Sequence, residues 1–204
     1  MILQINTENP QVRHIKNAVD LIRKGEVIVY PTDTTYGFGC DLFNKRGVEK
    51  ILSIKRNPKN KLLSLICPNL KDIAQYGYVT NHSYKIMKRC LPGPFTFILK
   101  ATQLVPRIMM TRQKTIGVRI PDNRIAIAIV EELGHPIITA SVRVDEEEIM
   151  SEPYEIEKRL GHHLGLVIDA GIILPFPSSV VDLGVEPPVI LREGRGDLSF
   201  ITEI

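Results

Sequence analysis

A single α/β domain, built on a twisted mixed β-sheet with flanking helices, is the fold the sequence predicts. Three observations predict it. Short apolar β runs are interleaved with amphipathic helical stretches along most of the chain. Several β runs then follow one another near the C-terminus with no helix between them, which an all-parallel sheet does not permit. The 204 residues are 44% hydrophobic and 24% charged, enough to bury one core without disulfides or metals. No repeat, low-complexity tract or linker divides the chain, so one domain over residues 1–204 is expected.

The elements follow in order. From Pro10 to Lys24 the apolar residues Val12, Ile15, Val19 and Ile22 recur at helical spacing, and Gly25 ends the pattern. Val27 to Tyr30 reads as a buried strand. Lys45 to Arg56 reads as a second helix, closed by Asn57-Pro58 because the residue before a proline is pushed out of the helical region. LLSLIC is a second apolar strand, and a helical stretch follows around Ser83 to Arg89. Pro92-Gly93-Pro94 lies beyond it, before the strand FTFILKA. TIGVRIP alternates as a strand, and Ile125 to Leu133 is an apolar helix ended by Gly134. PIITASV, GLVIDAG, SSVVDLG and PVILREG are four further β runs. An acidic, partly helical segment, VDEEEIMSEPYEIEKRL, separates the first two.

Composition narrows the function. No apolar run is long enough to cross a bilayer, and MILQINTENPQVRHIK lacks the layout of a signal peptide, so a cytoplasmic location is expected. Cys40, Cys67 and Cys90 are odd in number and lack metal-type spacing, which reads as reduced, buried thiols. The net charge of +3 permits a nucleic-acid partner without requiring one. There is no Walker-type loop, G-x-G-x-x-G, H-E-x-x-H or G-x-S-x-G. The histidines are scattered, and the adjacent pair His162-His163 cannot face one site from a regular helix, so no metal site is expected.

VIVYPTDTTYGFGCD places Thr32, Thr34 and Thr35 just beyond a strand's C-terminal end, where open α/β sheets bind ligands. Such hydroxyls hold a small polar ligand, or they satisfy their own loop. Gly37 and Gly39 allow close backbone approach or an unusual turn. Lys55, Arg56, Lys59 and Lys61 crowd a helix end, which suits a solvated cap or a polyphosphate grip. Arg119 in TIGVRIP and Arg192 in VILREG sit on apolar strands, where long cations need either a bound anion or a structural ion pair. Ser178 and Ser179 precede VVDL, as ligand contacts or as caps.

In this order, YPTDTTYGFGCD, IKRNPKNKLLSLI, LPGPFTFILKAT, TIGVRIP, PIITASV, SSVVDL and LREG resemble the YrdC-like family, from about Val12 to Gly194. TFILKAT and the closing REGRGD are nearest to its YciO branch. The resemblance implies the YrdC-like α/β fold and a nucleotidyltransferase reaction. L-threonine, bicarbonate and ATP give threonylcarbamoyl-AMP and pyrophosphate, with Mg2+ on the phosphates. Partner proteins then pass the group to tRNA. It implies Thr32, Thr34, Thr115, Arg119 and Ser179 as threonine-binding residues, with Arg119 on the carboxylate. It implies Lys55, Arg56, Asn57, Lys61, Ser141, Arg143 and Arg192 around ATP and its phosphates, and no side-chain nucleophile. Asn57 stands where the family carries arginine, Arg143 where it carries asparagine, and Ile66 where many members carry histidine. These departures lie in or beside the ATP half. They keep a second expectation open: a paralogue that binds double-stranded RNA or tRNA with weak or no synthase activity.

Overall fold

Alternation along the strands sorts apolar side chains to both faces of one sheet. Val27 and Val29 enter one cluster of buried residues, while Ile28 and Tyr30 enter the other. The computed structural model describes residues 1–56, 63–109, 111, 113–144 and 148–201, apart from the side chain of residue 200.

The strands are β1 (Ile2–Gln4), β2 (Ile28–Pro31), β3 (Tyr36–Asp41), β4 (Ser64–Ile66), β5 (Phe95–Lys100), β6 (Thr115–Arg119), β7 (Ile137–Ser141), β8 (Leu166–Asp169), β9 (Ser179–Asp182) and β10 (Val189–Arg192). They form one sheet in the order β1-β8-β2-β3-β7-β4-β6-β5-β9-β10. β8 is parallel to β1 and β2, β4 to β6, and β5 to β9. The pairs β2–β3, β3–β7, β4–β7, β5–β6 and β9–β10 are antiparallel. The sheet is therefore mixed, as the run of C-terminal strands predicts.

The helices are α1 (Val12–Arg23), α2 (Lys45–Ile54), α3 (Leu70–Tyr76), α4 (Asn81–Cys90), α5 (Arg124–Leu133) and α6 (Pro153–Leu160). On one face, Ile15, Val19 and Ile22 of α1 and Ile125 and Ile129 of α5 join Ile28, Tyr30 and Ile168. On the other, Val48 and Ile51 of α2, Ile156 of α6, and Ile86 and Met87 of α4 join Phe38, Phe97 and Val167. Side-chain oxygens accept from the first-turn amides: Asn44 from Gly47, Asn69 from Asp72, and Asn123 from Ala126. Thr80 and Ser83 form a reciprocal capping box on α4. Gly134 ends α5 with φ 86, a left-handed cap that glycine adopts without a Cβ penalty. Cys40, Cys67 and Cys90 are free and buried, and burial pushes each thiol pKa up.

Three elements go beyond the sequence reading: β1, α3 and β3. β1 has three residues and α3 seven, too few for periodicity to register. β3 is the instructive case, because its glycines suggest a loop. A Cβ on Gly39 would stand 2.9 Å from the Tyr30 ring, and one on Gly37 would stand 3.0 Å from Thr139 Oγ1. The glycines let the Tyr30 ring lie across β3, so that its hydroxyl donates to Thr139 Oγ1 at 2.6 Å.

Candidate functional site

The site begins in the four-residue loop that joins β2 to β3. The Thr32 hydroxyl donates to the Thr35 carbonyl at 2.6 Å and accepts from the amides of Thr34 and Thr35, each at 3.1 Å. The Thr32 and Thr34 hydroxyls share a hydrogen bond of 3.1 Å. All three threonines are buried. Part of the loop thus satisfies itself, as one reading of its hydroxyls expects. The same bonds fix the direction of Thr34.

Thr34 meets Arg119, which is only 8% exposed. Arg119 Nη1 donates to Thr34 Oγ1 at 3.1 Å, and Nη2 donates to Asp33 Oδ1 at 2.7 Å. β2 and β6 are four places apart in the sheet order, about 19 Å in a flat sheet, which an arginine side chain cannot span. The sheet therefore curls, and Arg119 bridges its concave side. Burial pushes the Arg119 pKa down, and the Asp33 carboxylate opposes that shift. Asp33 Oδ2 and Arg119 Nε are both enclosed and have no hydrogen-bond partner among the described residues.

A second set of cations stands beside this pair. Lys55 caps α2, and its Nζ donates to the Ser141 carbonyl at 3.5 Å, a long contact. Burial and then the Arg143 charge lower its pKa to about 8. Arg192, exposed at the end of β10, donates from Nε to the Ser178 carbonyl at 3.0 Å and from Nη2 to Ser178 Oγ at 3.2 Å. Its pKa is lowered by burial, then by Arg119 and Arg143. Among the described residues no carboxylate lies within ion-pair distance of Lys55, Arg143 or Arg192. The three cations repel one another, and Lys55 is also partly desolvated.

The structure brings Thr32, Thr34 and Arg119 into one network, and it sets Lys55, Ser141, Arg143 and Arg192 beside it. Ser179 Oγ is fully buried; it donates to the Gly196 carbonyl at 2.7 Å and accepts from the Gly194 amide at 3.1 Å. It therefore anchors the turn that follows Arg192. Thr115 opens β6 opposite Lys100, four residues and about 13 Å along the strand from Arg119. Its hydroxyl pairs with Thr111 at 2.7 Å. Gly117 and Thr139 flank Ser64, and Thr115 and Ser141 each lie two residues further toward the same sheet end. Thr115 thus stands at the same sheet end as Ser141, which pairs with Gly37 next to the β2–β3 loop, but its hydroxyl bonds Thr111 rather than Thr34 or Arg119.

Arg56 follows α2 with φ 51, a left-handed conformation that usually falls to glycine. Together with burial, His162 and Lys50, its charge lowers the His163 pKa, so Arg56 neighbours a different group from Lys55. Asn57, Lys59 and Lys61 lie outside the described residues. Asp33 and Arg195 are the residues that sequence reasoning missed. Arg195 Nη1 donates to the Asp33 carbonyl at 2.6 Å. The need of a buried Arg119 for a carboxylate was the available signal for Asp33. Arg195 lies in the REGRGD run quoted above, but nothing in the sequence marks its contact with Asp33.

Among the described residues no cluster of three His, Cys, Asp or Glu side chains is arranged for a metal ion, and no helix is long and apolar enough to cross a membrane. A curled mixed sheet that carries an enclosed arginine beside a bank of cations places the chain, as a class, among single-domain α/β proteins with a cation-rich site. The chain belongs to the Sua5/YciO/YrdC family, whose model, described as "Telomere recombination", matches residues 20–194. An uncharacterized Haemophilus influenzae protein is 44% identical over 195 residues, 94% of each chain. Escherichia coli YciO is 41% identical over 196 residues, 95% of each chain. The E. coli YciO crystal structure superposes with a TM-score of 0.93 at 40% identity, over 97% of each chain. Pyrococcus abyssi Sua5, solved in complex with L-threonine, superposes with a TM-score of 0.92 at 26% identity, over all of this chain and 60% of its own. A P. abyssi protein named threonylcarbamoyl-AMP synthase is 27% identical over 192 residues, 93% of this chain and 56% of its own.

Proposed function

We propose that the chain is an L-threonylcarbamoyladenylate synthase-like nucleotidyltransferase, using L-threonine, bicarbonate and ATP to form threonylcarbamoyl-AMP and pyrophosphate for tRNA modification. One observation carries the reading: a buried Arg119–Thr34 contact stands next to Lys55, Arg143 and Arg192, cations with no ion-paired carboxylate among the described residues. A small amino acid fits the first group, and a polyphosphate fits the second. The likeness to an L-threonine complex of Sua5 supports the assignment of the first.

The chemistry asks little beyond alignment. The threonine amine condenses with bicarbonate, whose C–OH bond breaks, to give a carbamate and water. A carbamate oxygen attacks the α-phosphorus, and pyrophosphate leaves. Arg119 and Thr34 hold the amino acid. Lys55, Arg143 and Arg192 offset the repulsion between two anions brought together. Mg2+ enters on the phosphates as part of the ATP substrate. The test is turnover by purified protein: AMP-linked product and pyrophosphate that require both threonine and bicarbonate. ATP left unconverted at saturating threonine and bicarbonate overturns the reading.

A second reading takes the same cations as contacts for RNA phosphates. It is favoured by Arg143 in place of the family's asparagine and by the exposed Arg195, which donates to the Asp33 carbonyl. It requires binding to structured RNA that weakens steeply with salt, because each phosphate contact releases counterions. Binding indifferent to salt contradicts it.

A further inference from the structure

Resting on the polyphosphate reading of the second cation group, we infer that Thr96 is a positioning residue, which acts through Ser178 to aim the Arg192 guanidinium at the bound anion. β10 is an edge strand of the sheet, its register is irregular between Ile190 and Arg192, and Arg192 is exposed. Packing alone does not fix such a side chain, and the like charges of Arg119 and Arg143 drive it toward solvent. Two hydrogen bonds to one residue hold it back. Nε donates to the Ser178 carbonyl at 3.0 Å, and Nη2 donates to Ser178 Oγ at 3.2 Å. These two nitrogens form one edge of the guanidinium fork. Nη1 makes no hydrogen bond among the described residues and is available to a phosphate oxygen.

The bracket is anchored deeper in the sheet. Ser178 and Thr96 are both buried, and their hydroxyls share a hydrogen bond of 2.8 Å. Thr96 and Arg192 both pair with Val180, from opposite sides of β9, which puts them at one level of the sheet about 10 Å apart. Ser178, two residues before Val180, bridges them. Phe95, Thr96 and Phe97 are buried in succession on β5, a setting where a hydroxyl costs more than an apolar side chain unless it is hydrogen-bonded. Among the described residues the Thr96 side chain bonds Ser178 alone. Ser178 Oγ has one proton and two lone pairs, so a bond with Thr96 in either direction fixes its rotor and leaves a lone pair for Arg192. Ser179 holds the main-chain turn beyond Arg192 through the Gly194 amide, while Ser178 and Thr96 hold the side chain.

The experiment is a double-mutant cycle read by calorimetric titration of the full chain with Mg2+-ATP. It compares the wild type, Thr96→Val, Arg192→Met and the double variant, each checked for folding by urea unfolding. Thr96→Val is expected to weaken ATP binding roughly three- to tenfold, the range for one net hydrogen bond. Thr96→Ser keeps the hydroxyl and is expected to bind within about twofold of the wild type. On the Arg192→Met background Thr96→Val is expected to cause no further loss, because Thr96 acts only through Arg192. A Thr96 that merely supports the sheet gives equal losses on both backgrounds, and that result overturns the inference. A folded Thr96→Val or Arg192→Met with wild-type affinity also overturns it, and each leaves the polyphosphate reading standing. If Thr96→Val does not fold, the same cycle run with Ser178→Ala decides by the same criterion. No ATP binding by the wild type overturns the polyphosphate reading itself and this inference with it.

Discussion

The two halves of the site are built in opposite ways. Around Thr32–Thr35 nearly every polar group is spoken for: hydroxyls bond amides and carbonyls, and Arg119 bonds Thr34 and Asp33. Around Lys55, Arg143 and Arg192 the charges are of one sign, and burial first, then those charges, lowers the Lys55 and Arg192 pKa values. The first half is preorganised and neutral overall. The second gathers like charges, which on the proposed reading a bound anion offsets. Variants in the first half should therefore damage the fold, and variants in the second should damage binding while sparing it.

The largest effect is expected from Arg119→Met. It strands the enclosed Asp33 carboxylate, and breaking a buried pair from one side costs about 3–5 kcal/mol. Urea unfolding should show that loss together with loss of threonine binding. A stability change below about 1 kcal/mol would mean that the pair is not desolvated in solution.

Lys55→Met should reverse the pattern. ATP affinity should fall roughly 10- to 100-fold, the range for a charge-assisted bond, with unchanged unfolding. The pH dependence sharpens the point. The Lys55 pKa of about 8 in the free protein should rise when phosphate binds. ATP affinity should then hold below pH 8 and fall above it by up to about tenfold per pH unit, with proton uptake on binding. Lys55→Met should flatten that profile. A profile that stays steep would place the titrating group elsewhere.

Much of this was legible in the sequence, for physical reasons. α1 and α5 show because their apolar stripes repeat at helical spacing, and β2, β5 and β6 show because their runs are β-branched and aromatic. The cations of the second half show as charges on apolar strands or at a helix end. β3 does not show, because Gly37 and Gly39 serve the Tyr30 ring rather than strand propensity. Asp33 and Arg195 do not show, because their roles depend on the curl that brings β6 and the C-terminal turn to the β2–β3 loop. Thr115 shows the reverse problem. Four residues from Arg119 in sequence, it stands at the far end of the same strand.

Two smaller effects complete the comparison. Arg56→Gly relieves a left-handed non-glycine residue and should stabilise the chain by about 0.5–1 kcal/mol in thermal unfolding. Destabilisation would mean that the Arg56 side chain makes a contact worth more than its backbone strain. Thr115→Ala should change threonine affinity by less than about twofold, since its hydroxyl pairs with Thr111 outside the Arg119 network. A tenfold loss in calorimetry would move Thr115 into the amino-acid half.

The measurement that tests the account most directly is calorimetric titration with ATP, with and without L-threonine plus bicarbonate, followed by assay for AMP-linked product and pyrophosphate. The account predicts ATP binding that tightens when threonine and bicarbonate are present, and product that needs all three. ATP that does not bind, or binds equally with and without the amino acid and gives no product, contradicts it.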